Sequence, residues 1–314
     1  MIRSIAYLVL LFVLHVFSKP LYSQTEVQKL PGPGLLHQLS LLHDNDFFTL
    51  TDRYYSSGLF LSYTKHLNKG FLAPHREQIT VTLGQEVYTP SDIITTDISE
   101  QDRPYVGFLG LKGGWSFATN TYGLETSILI GLAGNNSGSG GFQRWYHKVF
   151  VVSDPPVWVG EMNNSLHVNS YVNYRREWRL TPNPFSVTMA VQPSIAFGTR
   201  DVYAQSELIA YFGRKDPMAT SMAYQRIGSR QRELFFSFRA GYRYVAYDAL
   251  FEGNLLGDTS VLLLAPNENL YYAGFDVDHR FGQNEYRFGY RLLSAAAPST
   301  EAHRYVTLSY ARNF

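Results

Sequence analysis

The chain has 314 residues, carries 27 Lys and Arg against 26 Asp and Glu, and contains no cysteine. This near-neutral balance excludes a general nucleic-acid or acidic-partner surface, and the missing thiols exclude disulfide staples and thiolate metal sites. Tyrosine (23), phenylalanine (21) and glycine (25) are abundant while charged residues make up only 17%, a mix that suits a membrane barrel with an apolar outer face, a polar lumen and aromatic rims.

At the start, Arg3 gives a short basic region, Ile5 to Phe17 is an almost unbroken apolar run, and polar residues lead to Ser23 and Gln24. That is the tripartite plan of a secretory leader. The apolar run is too short to cross the ~30 Å hydrocarbon layer as a helix. The expected organisation is a signal peptide over 1–24 and a barrel domain over 25–314. Losing Arg3 and Lys19 with the leader lowers the basic count from 27 to 25, against 26 acids.

Strands follow from alternation. Ile79, Val81 and Leu83 share one side of a run whose other side is Gln78, Thr80, Thr82 and Gly84. Tyr55, Ser57, Leu59, Leu61 and Tyr63 likewise oppose Tyr54, Ser56, Gly58, Phe60, Ser62 and Thr64. With these two, strand-like runs lie at 35–48, 104–118, 121–133, 165–180, 185–198, 202–213, 233–247, 260–265, 270–281, 284–295 and 304–314, thirteen candidates in all. Single-chain barrels of this kind take an even number, so either one candidate is a loop or two are halves of one bent strand. The expected fold is an all-β antiparallel transmembrane barrel of about twelve strands. Tight connections at 119–120, 181–184 and 282–284 suit periplasmic turns. Longer stretches at 89–103, 134–164, 214–231 and 248–259 suit extracellular loops, where function concentrates.

Asp44, Asn45 and Asp46 end the first strand, and Asp52 to Gly58 open the second. Asp46 shares parity with Gln38 and Ser40, and Ser56 with Ser62 and Thr64, which predicts that both point into the lumen. A carboxylate, an amide and a hydroxyl at one mouth could hold a hard cation and activate water. A solvated polar rim is the plainer reading of the same residues. Within the loop at 134–164, a glycine-rich segment precedes Phe142–Phe150, which has helical character until Asp154, Pro155 and Pro156 stop it. Gln143 and His147 lie four apart on one face, with Arg144 and Lys148 adjoining. A helix lying at the membrane rim, anchored by its Trp, Tyr and Phe, would explain the pattern without chemistry. At the C-terminus, Val306, Leu308, Tyr310 and Phe314 line one face of an amphipathic strand. Its backbone groups need a neighbour, so it is expected to close the barrel and to be read by the barrel assembly machinery.

Together these residues resemble the outer-membrane lipid A 3′-O-deacylase family. The matching pieces are Asn45-Asp46, Asp52 to Gly58, Gln101 to Gly107, Gln143-x-x-x-His147, a looser match over Trp158 to Asn164, Tyr247 to Asn254 and the closing strand. The resemblance implies an active site between the barrel wall and a helix from an extracellular loop, in a Gram-negative outer membrane, with lipid A or lipopolysaccharide as substrate. It implies His147 as general base, a Ca²⁺ ion near Asn45 and Asp46, Ser56 as polar support or nucleophile, and Gln143 orienting the base or the substrate. The sequence departs from the family at Glu161, where the pattern has Gln, and at Val157, where it has Gly. Thr95 and Thr96 stand where one type carries a basic pair, leaving Arg53, Arg103, Arg144 and Lys148 as candidates to grip lipid phosphates. Two other readings are an outer-membrane phospholipase pairing Ser56 with His147, and a non-enzymatic barrel acting as a pore or adhesin.

Overall fold

Twelve strands, each paired antiparallel with its neighbours in sequence, close into one barrel. The computed structural model describes residues 35–46, 52–150, 154–180, 186–228 and 232–314; the expected leader over 1–24 lies outside them. The strands are β1 (His37–Asn45), β2 (Tyr54–Leu67), β3 (Glu77–Thr89), β4 (Val106–Ala118), β5 (Tyr122–Ala133) and β6 (Ser165–Arg179). They continue as β7 (Ser186–Gly198), β8 (Asp201–Arg214), β9 (Glu233–Asp248), β10 (Asn269–Phe281), β11 (Asn284–Leu293) and β12 (His303–Asn313). Helix α1 spans Ser139–Phe150 and a single turn, α2, spans Ala249–Glu252. Closure is made by β1 and β12, registered from Gln38 opposite Asn313 to Asn45 opposite Val306. The carbonyl of Phe314 completes it by accepting from the N–H groups of Leu36 and His37 at 3.1 and 2.9 Å. A ring has no open edge, so every strand can satisfy its backbone groups in hydrocarbon.

Outward positions carry exposed Leu39, Leu41, Leu61, Val81, Leu83, Leu111 and Ile130. Inward positions carry hydroxyl pairs such as Ser62 with Thr82 at 2.9 Å and a ladder of ion pairs. Arg239 and Arg291 both reach Asp276, at 2.8 and 2.5 Å, and Arg287 reaches Asp278 at 2.7 Å. The exterior is apolar and the lumen polar, the reverse of a soluble protein, which is what a lipid solvent selects.

The start of β1 and the end of β12 lie at one mouth, so alternation puts the connections that follow β2, β4, β8 and β10 there as well. The opposite, extracellular mouth receives the connections that follow β1, β3, β5, β7, β9 and β11. The expected tight turns at 119–120 and 282–284 fall at the terminal mouth, while the one at 181–184 lies outside the described residues. Two expectations are overturned. The run at 260–265 is irregular chain whose Ser260 hydroxyl accepts from the N–H of Asn163 at 2.8 Å, tying two extracellular loops together. The stretch expected at 214–231 as an extracellular loop is corrected over its described part: residues 215–228 leave β8 at the terminal mouth and fold back into the lumen. There Arg280, fully buried, bonds the carbonyls of Thr220 and Arg226 at 2.8 and 3.0 Å and Glu233 at 2.6 Å. Lys215 and Tyr224 both reach Glu177 at 2.6 Å. Length alone had suggested an exterior loop, but strand count decides the side.

Candidate functional site

At the extracellular rim the strand ladder ends in a way that turns polar side chains outward. Asp44 points inward, accepting from Thr307 at 2.6 Å and from Tyr55 at 2.9 Å. Alternation therefore sends Asn45, the last residue of β1, to the outer face. Asp46 lies one residue past the strand, where its N–H still bonds the carbonyl of Ser56 at 3.2 Å and its carboxylate accepts from the N–H of Arg53 at 2.8 Å. The β2–β3 register shifts between Tyr55 and Ser57. Ser56 is the extra residue of this bulge, and bulges re-aim side chains next to functional sites. Its hydroxyl donates to Asp52 at 2.6 Å instead of entering the lumen. The parity that predicted lumenal Asp46 and Ser56 thus fails for both: one has left the ladder and the other is its irregularity.

Helix α1 lies against the outside of the wall at this height. Val87 is an outward position in line with exposed Val81 and Leu83, yet it is fully buried because the helix covers it. The close approach needs Gly107 opposite Val87, since a Cβ there would sit 2.2 Å from the Ser137 hydroxyl and 2.4 Å from Ser139. Gly140 likewise leaves room for the Trp158 ring, 2.9 Å from where its Cβ would be. The helix begins three residues earlier than its sequence pattern indicated and presents Gln143 and His147, both buried, to the wall.

One carboxylate organises the centre. Asp52 Oδ2 meets His147 Nε2 at 2.8 Å, while Oδ1 accepts from Ser56 at 2.6 Å and from Gln143 Nε2 at 3.3 Å. Gln143 Nε2 also reaches Ser56 Oγ at 3.3 Å. Trp158 Nε1 donates to Gln143 Oε1 at 2.9 Å and so fixes which way the amide faces. Trp158 itself has a left-handed backbone (φ 56°) and packs its ring against Tyr105 in a tilted pair with centroids 5.2 Å apart. Such strain in a non-glycine residue persists only where its surroundings hold it. Close by, burial pushes the Glu161 carboxyl up to about 7 against the opposing pull of Arg144.

Asn45, Asp46, Asp52, Ser56, Ser57, Val87, Phe142, Gln143, Tyr146 and His147 line a cavity of about 20 Å³. That holds roughly one water or one ion, so a lipid must meet the site from outside it. The lumen contains a far larger cavity of about 370 Å³, but it lies on the other side of the wall and shares none of these side chains. All five residues singled out from the sequence are therefore brought together. Asp52 and Trp158 were missed as working residues. Asp52 stood four residues before Ser56 in a quoted motif, but nothing in its spacing tied it to His147. Among the described residues no three acids or histidines form a ready-made metal cluster. The donors facing the cavity are nevertheless the carboxylates of Asp46 and Asp52, the Asn45 amide and the Ser56 hydroxyl. An oxygen set of this kind, open to further water oxygens, fits a hard cation.

The family model described as outer membrane protein LpxR matches residues 8–314. Among solved structures, LpxR from Salmonella typhimurium aligns at TM-score 0.74 and 17% identity, covering 88% of this chain and 100% of that one. The β domain of the Bordetella autotransporter BrkA aligns at 0.45 and 11% identity, over 89% and 99% of the two chains. The translocator domain of autotransporter NalP from Neisseria meningitidis gives 0.42 and 9%, over 90% and 89%. No curated protein matches.

Proposed function

We propose, for a chain that belongs to the LpxR family of outer-membrane proteins, that it deacylates lipid A in a Gram-negative outer membrane by hydrolysing an acyl ester with His147 as general base. The observation that carries the reading is the buried 2.8 Å contact between His147 Nε2 and Asp52, on the outer wall beside a cavity the size of one water. Asp52 holds the ring with Nε2 protonated, so Nδ1 is the nitrogen that takes a proton from the attacking water. The water oxygen adds to the ester carbonyl, and the imidazolium, steadied by the adjacent carboxylate, returns the proton to the departing alkoxide. The products are a fatty acid and a lipid A hydroxyl. Gln143, held by Trp158, braces the carboxylate that braces the base, and so acts one step further back than the family resemblance implied.

Asn45 and Asp46 are the residues that would hold Ca²⁺, which when bound supplies positive charge for the developing oxyanion. The Ser56 hydroxyl donates to Asp52 and not to His147, which favours polar support over nucleophile. A porin reading is opposed by the lumenal plug at 215–228. Mass spectrometry of lipid A incubated with detergent-purified protein tests the proposal, with Ca²⁺ or EDTA and with His147→Ala alongside. Loss of an acyl or acyloxyacyl unit that needs both the metal and His147 is expected. An unchanged lipid with a properly folded barrel would overturn it.

A further inference from the structure

Four cations were candidates to grip lipid phosphates in place of the absent basic pair, and the structure separates them. Arg53 is engaged by Glu301 at 2.9 Å and lies over the Tyr54 ring. Arg103 is buried between the rings of Tyr88 and Phe251, at 4.7 and 4.5 Å, and lines the lumenal cavity. Only Arg144 and Lys148 stand exposed on the helix that carries the base.

We propose that Arg144 and Lys148 form a phosphate-binding subsite for the lipid substrate on the exposed flank of α1 next to Gln143 and His147; this rests on the lipid A reading above. At about 100° per residue, the flank adjoining Gln143 and His147 presents these two cations one turn apart, and the face opposite Gln143 and His147 presents Trp145 and Val149 beside them. Trp145 and Val149 are 52% and 53% exposed, large apolar groups that water would not favour. Two cations flanking an apolar stripe is the pattern of a helix lying in a membrane interface. Its height agrees. The helix covers Val87 and Gly107, one outward position beyond the level of exposed Leu132 and Leu166. The helix therefore sits at the extracellular edge of the apolar belt, where headgroups meet acyl chains. An anionic amphiphile meets both stripes at once, phosphate on the cations and acyl chains on the apolar groups. Because Arg144 adjoins Gln143 and Lys148 adjoins His147, a phosphate held there sits within about one helical turn of the base. Glu161, close to Arg144, has its carboxyl pushed up to about 7 by burial, so it only partly offsets that charge at neutral pH.

The experiment compares the parent protein, an Arg144→Ala/Lys148→Ala variant and the charge-conserving Arg144→Lys/Lys148→Arg variant on bisphosphorylated and chemically dephosphorylated lipid A in mixed micelles. For the alanine variant we expect KM on the phosphorylated lipid to rise at least tenfold with kcat within twofold, and no change on the dephosphorylated lipid. The charge-conserving variant should behave as the parent, which separates charge from folding. An equal effect on both lipids, or a loss confined to kcat, would overturn the subsite. A parallel measurement uses His147→Ala protein, with and without the two alanine substitutions, to read micelle binding alone. If no turnover of lipid A occurs at all, the hydrolase reading fails while the binding arm still decides the subsite: phosphate-dependent binding lost on removing both cations sustains it, and phosphate-independent binding overturns it.

Discussion

Replacing Asp52 with Asn keeps the shape of the side chain but removes the charge that faces His147 at 2.8 Å. Two effects combine. The neutral amide no longer enforces the Nε2-protonated ring, and it no longer stabilises the imidazolium that forms as water loses its proton. A hydrogen bond to a charged partner contributes about 1.5–3 kcal/mol. Opposite charges about 4 Å apart at an effective dielectric of about 20 gain about 4 kcal/mol. Asp52 is 20% exposed, so water screens part of this. At about 1.4 kcal/mol per factor of ten, kcat should fall about 100- to 1,000-fold. KM should change little, because Asp52 acts through His147 and not on the lipid. Steady-state release of fatty acid from lipid A in detergent micelles measures both constants. Circular dichroism and the heat-dependent gel mobility of the barrel confirm that the variant is folded. A folded Asp52→Asn protein with kcat within threefold of the parent would refute the reasoning.

Ser56→Ala removes one donor to the Asp52 carboxylate and should lower kcat by about tenfold, the size of one such bond; a fall beyond a thousandfold, with covalent labelling of the parent by a serine-directed phosphonate, would instead mark a nucleophile. Gly107→Val places atoms where Ser137 and Ser139 now lie and should displace α1 from the wall, abolishing turnover while the barrel keeps its strand content; retained activity would show that the helix need not dock there. Glu161 is protonated in the folded state up to about pH 7 but ionises near pH 4.3 when unfolded. The folded chain therefore binds more protons between those values, and stability falls as pH rises through that window and levels off above it. Glu161→Gln should flatten the fall, read as thermal unfolding temperature against pH; identical profiles would contradict the burial of this carboxyl.

The barrel was legible because alternation is a local signal. Leu39 and Leu41, or Val81 and Leu83, announce their face without reference to the rest of the chain. The need for an even count signalled one surplus candidate but not that it was 260–265. The site was legible as a set of residues, since Asn45, Asp46, Ser56, Gln143 and His147 do converge, but not as a geometry. Parity fails where a strand ends, as at Asp46, and where it bulges, as at Ser56, and both failures turned a lumenal expectation into an outer-wall site. The link between Asp52 and His147 spans nearly a hundred residues and depends on how a loop helix docks on Val87 and Gly107, which no periodicity encodes. Arg103 and the plug at 215–228 were misjudged for a related reason. A lumen rewards burial of polar groups, so a charged or irregular stretch is no guide to exposure there.

The most direct test of the account is the lipid A of a Gram-negative host that produces this protein, compared with the same host producing His147→Ala at equal outer-membrane level. The account predicts that the parent strips one acyl or acyloxyacyl unit from lipid A and that the variant leaves it intact. Identical lipid A in the two strains, with both barrels folded in the outer membrane, would contradict it.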